Sequence, residues 1–259
     1  MPNQIESKIC QSDQQGSTAS ANAISKPFGI KALDEALNKT IKRGNVYEVF
    51  GSTGTGKTTL ATQFLVEGAK EGNKGFIIVT DSSVEQYVRN AERLSFGFRK
   101  YRDEGLIEAI GLSDRFWSLK WSATEDPKNF GRYMEDTTEA IKKLASESNA
   151  KRIVIDTITP MLTGDRFDIS RFVNSLAVKE AVVIITSGIS NNDNSLGYER
   201  NVVSGVIELK GTSTDGTKEA RIVKMPGTHY EGPIEYTISS EGITPVSSEK
   251  VHSMLRIIR

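Results

Sequence analysis

Residues 51–59, "GSTGTGKTT", give the strongest indication of the fold class of this chain. It fits the pattern G-x-x-x-x-G-K-[ST] at every fixed position, which Gly51, Gly56, Lys57 and Thr58 occupy. Glycines let a phosphate approach the main chain closely and permit positive φ angles. The apolar run "NVYEVF" before the stretch predicts a strand, and "TLATQFLVEGAK" after it predicts a helix. Because N–H groups at a helix N-terminus favour anions, the sequence predicts a loop that binds nucleotide phosphates.

The residues of this loop have separate expected roles. Lys57 is expected to neutralise the β- and γ-phosphates of ATP, and the Thr58 hydroxyl to bind Mg²⁺. A carboxylate that holds the metal through water is expected at Asp156, where "KRIVIDT" ends a buried strand. The alternative for Asp156 is a helix cap or a turn. The predicted nucleotide-binding residues are Gly51, Ser52, Thr53, Gly54, Thr55, Gly56, Lys57, Thr58 and Thr59.

Apolar, β-branched runs alternate with helical patterns along most of the chain. Such near-continuous apolar runs are typical of strands buried on both faces of a parallel sheet, so a doubly wound α/β fold is predicted. After residue 200 the strands follow one another directly, and Asp215-Gly216 is a hairpin signal. An antiparallel C-terminal extension is therefore expected. Asp168 is a predicted helix N-cap. Residues 1–24 are predicted to form a mobile tail, and residues 25–259 a single core domain.

Composition limits the functional classes. The charges balance at 33 basic and 33 acidic residues, with a pI of about 6.8, which argues against bulk binding to nucleic acid or anionic membranes. No apolar run approaches the roughly 18 residues that a membrane-spanning helix needs. The single cysteine, Cys10, excludes an internal disulfide and fits a reducing compartment. With no signal-peptide pattern at the start, a cytoplasmic protein is expected.

Residues 28–80 resemble the opening of the RecA-superfamily ATPases of the KaiC type. The resemblance extends to about residue 245, and "EVFG" before the loop is also similar to archaeal RadA recombinases. It implies a RecA-type core, a P-loop NTPase, that binds MgATP at a subunit interface. It further implies a homo-oligomer, a ring or filament, with a hexamer among the candidates. The matching positions are Gly29, Leu33, Asp34, Leu37, Ile41, Arg43, Gly44, Gln63, Phe64 and Leu65.

The resemblance also implies catalytic residues. The family's catalytic carboxylate falls on Asp81, which would orient and deprotonate the attacking water. The alternative for Asp81 is an N-cap of the helix that begins near Val84. Thr186 falls where the family has a polar residue near the γ-phosphate, and its alternative is a turn at a strand end.

The segment "VKMPGTHY" resembles the family segment that reaches the nucleotide of the neighbouring subunit. Lys224 is expected to act there in trans, and its alternative is a solvated strand residue. The family often has an arginine two residues later, where this chain has Pro226. Since a supplied arginine is worth about 10³–10⁵ in rate in related systems, slow hydrolysis is expected.

Three functional hypotheses follow. The first is a slow MgATP hydrolase. The second is a nucleotide-dependent switch or scaffold that hydrolyses little and binds an unidentified protein partner. The third is a DNA-binding recombinase paralogue that uses the loops "TITPMLTGDRFDIS" and "SGISNNDNSLGYERN". In the second loop Tyr198 could stack on a base and Arg200 could pair with a phosphate, whereas the alternative is a polar, mobile loop without a ligand.

Overall fold

A nine-stranded sheet forms the centre of the protein, with strand order β3-β2-β4-β5-β1-β6-β7-β8-β9. The structure is a computed structural model, and it describes residues 22–189, 197–211 and 216–246. The strands are β1 (Val46–Gly51), β2 (Gly75–Val79), β3 (Ile107–Gly111), β4 (Arg152–Asp156), β5 (Val182–Ser187), β6 (Gly205–Gly211), β7 (Lys218–Lys224), β8 (Ile234–Ser239) and β9 (Gly242–Pro245).

The pairing of these strands confirms the predicted fold class and corrects one detail of it. Strands β1 to β6 pair in parallel, and β7, β8 and β9 extend the sheet in antiparallel pairs. The antiparallel extension predicted after residue 200 begins at β7, because β6, the first strand after that position, pairs in parallel with β1. The run "PIEYTISSEGITPV" forms two strands, β8 and β9, which pair with each other.

Helices cover both faces of the parallel part. They are α1 (Lys31–Leu37), α2 (Lys57–Lys70), α3 (Val84–Glu92), α4 (Phe98–Asp103), α5 (Asp114–Glu125), α6 (Phe130–Glu147), α7 (Arg166–Ser175) and α8 (Tyr198–Val202), with short 3₁₀ turns at Pro127–Asn129 and Thr159–Met161. Asp165, not Asp168, is the N-cap of α7. Asp168 is the third residue of that helix and completes a capping box with it.

Two apolar clusters lie on opposite faces of the sheet. One contains Leu60 and Phe64 of α2, and the other contains Tyr133 of α6 and Phe172 of α7. Neighbouring strand residues alternate between the clusters, because successive side chains of a strand point to opposite faces. In β4, for example, Val154 belongs to the first cluster, whereas Ile153 and Ile155 belong to the second.

The folded unit begins before position 25. Ala23 forms a β-bridge with Lys42, and the N–H of Ile24 donates to the carbonyl of Ile41 at 2.8 Å. Residues 1–21 of the predicted tail, including Cys10, lie outside the described part of the chain. Among the described residues, no helix has the length and apolar character needed to cross a membrane.

Candidate functional site

The loop after β1 has a main-chain shape that only glycine supplies at several positions. A Cβ on Gly51 would lie 2.2 Å from the carbonyl oxygen of Leu209 on the neighbouring β6. Gly54 and Gly56 have φ angles of 80° and 95°, a region that other residues rarely adopt. Gly56 is also the N-cap of α2, with no side chain bonded to the first N–H groups of this 14-residue helix. The loop therefore presents a helix N-terminus that suits a phosphate.

Lys57 lies folded over this loop. Its ammonium group donates to the carbonyl oxygens of Gly51 at 2.8 Å and of Ser52 at 3.0 Å. Burial lowers the pKa of Lys57, while the negative charges of Asp156 and Asp81 raise it. The lysine thus sits within the field of two carboxylates, beside the position where a phosphate would enter the loop.

Asp156 is the buried carboxylate at the end of β4, and two hydroxyl groups donate to it. Thr58 Oγ1 lies 2.7 Å from Asp156 Oδ2, and Thr186 Oγ1 lies 2.5 Å from Asp156 Oδ1. Burial raises the pKa of Asp156, and the hydrogen bonds from Thr186 and Thr58 lower it. Thr186 is fully buried inside β5, opposite Val49 of β1, so the turn alternative for Thr186 is wrong. Because β5 lies between β4 and β1, it joins Asp156 to the phosphate loop.

The donor set of this site fits a magnesium ion. The Thr58 hydroxyl and the Asp156 carboxylate are hard oxygen ligands, the type that Mg²⁺ prefers. Among the described residues, no group of three or more His, Cys, Asp or Glu side chains could hold a metal alone. Mg²⁺ usually completes its coordination with substrate phosphates and water, which is the arrangement that this pair of residues requires.

Asp81 follows β2 and faces the same cavity. Ser83, not Asp81, caps α3, since its hydroxyl accepts from the N–H of Gln86 at 3.1 Å. The capping alternative for Asp81 is therefore wrong. Asp81 is exposed, and within the described residues its carboxylate accepts no hydrogen bond. It lines a cavity of about 580 Å³ together with Lys57, Thr58 and Asp156.

Two threonines that sequence reasoning missed join the ends of β2, β4 and β5. The Thr80 hydroxyl accepts from the N–H of Thr157 at 2.9 Å and donates to the carbonyl of the same residue at 2.6 Å. The Thr157 hydroxyl in turn donates to the carbonyl of Thr186 at 2.7 Å. The only sequence signal for these residues is their adjacency to Asp81 and Asp156.

The antiparallel extension packs against the phosphate loop. Tyr236 of β8 donates its hydroxyl to the carbonyl of Thr55 at 2.6 Å. Gln63 of α2 accepts from the N–H of Ile243 at 2.8 Å and donates to the carbonyl of Ile243 at 3.4 Å. The position of Gln63 was noted in the family pattern, but its partner on β9 could not be predicted from that pattern.

Lys224 lies at the end of β7 with its ammonium group engaged inside the protomer. It donates to the carbonyl oxygens of Val203 at 2.7 Å, Asn201 at 2.9 Å and Arg200 at 3.4 Å. These carbonyls end helix α8, where a cation is favourable. Lys224 is therefore not a free, solvated strand residue.

The residues proposed for DNA contact have other partners. The Arg200 guanidinium lies 3.9 Å from the centre of the Phe50 ring, and its Nε is 3.4 Å from Glu48 Oε1. Tyr198 packs against one of the apolar clusters. Both side chains are half-buried. Residues 190–196 of the same predicted loop lie outside the described part of the chain.

The strand order, the glycine-rich loop and the Thr58–Asp156 pair together define a P-loop NTPase of the RecA type. The chain belongs to the KaiC-like ATPases: a family model described as "ATPase: KaiC" matches residues 26–250.

Relatives of the chain include UPF0273 proteins and circadian clock KaiC proteins. A UPF0273 protein of Methanopyrus kandleri is 29% identical over 236 residues, covering 86% of this chain and 92% of the relative. A UPF0273 protein of Methanocaldococcus jannaschii is 31% identical over 231 residues, covering 83% and 93%. The circadian clock oscillator protein KaiC of Rippkaea orientalis is 25% identical over 251 residues, covering 89% of this chain but 43% of KaiC. The chain thus matches the UPF0273 proteins over most of their length and KaiC over less than half of its length.

Proposed function

We propose that the protein binds MgATP at residues 51–59 and hydrolyses it slowly to ADP and phosphate. The observation that carries this proposal is the contact between the Thr58 hydroxyl and the Asp156 carboxylate, 2.7 Å apart, beside Lys57 on the phosphate loop. Strand, loop, lysine, hydroxyl and carboxylate are the parts that a P-loop nucleotidase needs to bind a triphosphate and its metal.

The residues of the site divide the work of binding. Lys57 exchanges its two carbonyl acceptors, Gly51 and Ser52, for phosphate oxygens, which are stronger acceptors because they are charged. Thr58 and Asp156 would hold Mg²⁺, which supplies positive charge to the phosphate oxygens when it is bound. Thr186 fixes the second oxygen of Asp156, so that this carboxylate keeps its orientation.

Asp81 is the proposed general base. Its carboxylate lines the cavity that Lys57 and Asp156 also line, and no hydrogen bond from the described residues holds it elsewhere. It would accept the proton of the attacking water. Hydrolysis is slow in this proposal for two reasons. Aspartate reaches one methylene less far than glutamate, and Pro226 stands where the family often carries an arginine that stabilises the transition state.

The first test is a calorimetric titration of the protein with ATP in the presence of Mg²⁺. We expect Lys57→Ala to weaken binding by at least about 10-fold, because hydrogen bonds to charged groups contribute about 1.5–3 kcal/mol. The matched control is Lys70→Ala, at the other end of α2, where an exposed lysine pairs with Glu67. The proposal is wrong if the wild-type protein takes up no nucleotide, or if the two variants bind alike.

Phosphate release tests the catalytic part separately. We expect Asp81→Asn to lower the rate by about 100-fold while binding stays intact, the lower end of what a general base contributes. Unchanged release by Asp81→Asn would remove Asp81 from the mechanism without affecting the binding proposal.

A nucleotide-dependent switch is the second candidate function. It is favoured by Lys224, which is held by three carbonyl oxygens, and by Pro226, which has no donor to offer a neighbour's nucleotide. In this case tight ATP binding would control assembly into a homo-oligomeric ring or contact with a protein partner. Sizing the protein with and without MgATP tests assembly. A monomer in both conditions would rule out the ring and any action of Lys224 in trans.

A further inference from the structure

We propose that Thr80 is a positioning residue of the ATPase site, whose hydroxyl fixes the end of β4, with Asp156, beside the end of β2, which leads into Asp81. This inference rests on the proposed function of the same site. It assigns to a residue outside the phosphate loop the task of keeping the metal-side carboxylate and the proposed base at a constant separation.

The geometry of Thr80 is that of a two-point clamp. Its hydroxyl accepts from the N–H of Thr157 at 2.9 Å and donates to the carbonyl of Thr157 at 2.6 Å. Its main-chain N–H donates to the carbonyl of Asp156 at 3.0 Å. Three hydrogen bonds therefore join Thr80 to two consecutive residues, and two of them depend on its side chain.

The clamp begins where the strand ladder ends. The parallel pairing of β2 with β4 ends at Val79 opposite Asp156, and β4 itself ends at Asp156. The Thr80 hydroxyl prolongs the pairing by one residue. Without it, the pairing at this end would rest on the main-chain hydrogen bond between Thr80 and Asp156, at the point where Asp81 and Asp156 begin to face the cavity.

Further hydrogen bonds join Thr157 and its neighbour to β5. The Thr157 hydroxyl and the N–H of Ile158 both donate to the carbonyl of Thr186, at 2.7 Å and 2.8 Å. Thr186 in turn donates its hydroxyl to Asp156. Three strand ends are thus tied together around one carboxylate. Catalytic groups must be held within about 0.5 Å of their productive position, and such a seam of supporting hydrogen bonds provides that precision.

Valine has nearly the shape of threonine, so Thr80→Val removes the clamp without opening a cavity. It leaves the N–H and carbonyl of Thr157 without the Thr80 hydroxyl, whereas Thr80→Ser keeps both hydrogen bonds. Thr237→Val is the matched control, because Thr237 contacts Thr244 on β8 and β9, far along the sheet from β2 and β4.

The experiment measures ATP affinity by calorimetry with and without Mg²⁺, together with kcat, KM and the urea midpoint. For Thr80→Val we expect metal-free affinity within about twofold of wild type, a loss of at least about fivefold in the Mg²⁺ enhancement with a matching rise in the KM for MgATP, and a kcat lower by about tenfold. Thr80→Ser should restore each value to within about twofold of wild type, and Thr237→Val should match wild type.

Several results would overturn the inference. One is a Thr80→Val protein with wild-type Mg²⁺ enhancement and kcat. Another is a Thr80→Ser protein as impaired as Thr80→Val. A third is a fall in the activity of Thr80→Val that only matches its loss of folded protein, with KM and the Mg²⁺ enhancement unchanged from wild type. A wild-type protein that binds no MgATP would overturn the proposed function and this inference together, whereas the first three results leave the proposed function intact.

Discussion

The parallel and antiparallel parts of the sheet support the phosphate loop in different ways. The parallel part brings Asp156 at the end of β4 and Asp81 after β2 into the cavity, and the buried Thr186 on β5 donates its hydroxyl to Asp156. The antiparallel part holds the loop from outside, through the Tyr236 hydroxyl on Thr55 and the pairing of Gln63 with Ile243. One part therefore supplies the residues of the proposed chemistry, and the other contacts the loop and the helix that follows it.

We therefore expect the two parts of the sheet to tolerate amino-acid substitutions unequally. In the parallel part, β6 lies so close to Gly51 that no side chain fits there. The Glu48 side chain is also fully buried in β1. In the extension, three hydrogen bonds, each worth about 1 kcal/mol, join β8 to the loop and β9 to α2. Substitutions in the parallel part should therefore cost more stability than those in the extension, and four variants test this ordering.

Gly51→Ala should have the largest effect. A Cβ at this position would lie 2.2 Å from the carbonyl oxygen of Leu209 and 2.8 Å from Thr55 Oγ1, so β1 and β6 would have to separate. We expect a loss of about 3–4 kcal/mol in the free energy of unfolding by urea. Gly131→Ala on α6, where the new methyl group meets nothing within 4 Å, is the control and should be neutral or stabilising. Equal stability of the two variants would contradict the packing at β6.

Glu48→Gln tests the buried charge of the parallel part. The pKa of Glu48 is raised to about 7, mainly by burial and further by the nearby negative charge of Glu199. The hydrogen bond from Ser187 and the positive charge of Arg200 lower this pKa in part. Among the described residues, Glu48 Oε2 has no hydrogen-bond partner. The folded protein therefore holds a proton between pH 4.5 and 7 that the unfolded chain releases, and stability falls as the pH rises through this window.

Between pH 4.5 and 7, Glu48 should lower the free energy of unfolding by about 3 kcal/mol, and Glu48→Gln should abolish this decrease. Asp34, whose pKa burial raises to about 6, adds a slope of the same sign to both proteins and does not affect the comparison. Urea unfolding from pH 4.5 to 8 is the measurement, with Glu108→Gln on the exposed surface of β3 as the control. Parallel stability curves for wild type and Glu48→Gln would contradict the assignment.

Gln63→Met tests the extension through its pairing with β9. The substitution keeps the length of the side chain but leaves the N–H and carbonyl of Ile243 without their partner. We expect a loss of about 1–2 kcal/mol and faster hydrogen exchange at the Ile243 amide. Gln86→Met, on the exposed face of α3, should change neither value. Protection of Ile243 equal to that of wild type would show that β9 is held by other contacts.

The parts that sequence could predict are those set by local patterns. Strand and helix order, the loop at residues 51–58 and Asp156 all follow from residue spacing and apolar periodicity over short stretches. The partners of Gln63 and Tyr236 lie 180 and 181 residues away, so only the folded sheet brings them together. The sequence did not predict the parallel pairing of β6, because the short connection to β7 indicates an antiparallel hairpin. The sequence carries no sign that the other edge of β6 pairs with β1, a strand much earlier in the chain. The resemblance implied a role in trans for Lys224, whereas its acceptors are carbonyls at the C-terminal end of α8, 21–24 residues earlier in the chain.

Tyr236→Phe should have the smallest effect on stability and should link the extension to ligand binding. It removes the hydroxyl that holds the carbonyl of Thr55, a residue of the phosphate loop, and should cost about 1 kcal/mol. Because part of the ATP binding energy must then order the loop, we expect affinity for MgATP to fall by about three- to fivefold. Tyr47→Phe, which loses comparable hydrogen bonds to Lys42 and Thr40 at the start of β1, should lose stability but keep its affinity. Equal affinities for the two variants would mean that the extension supports the fold without fixing the loop.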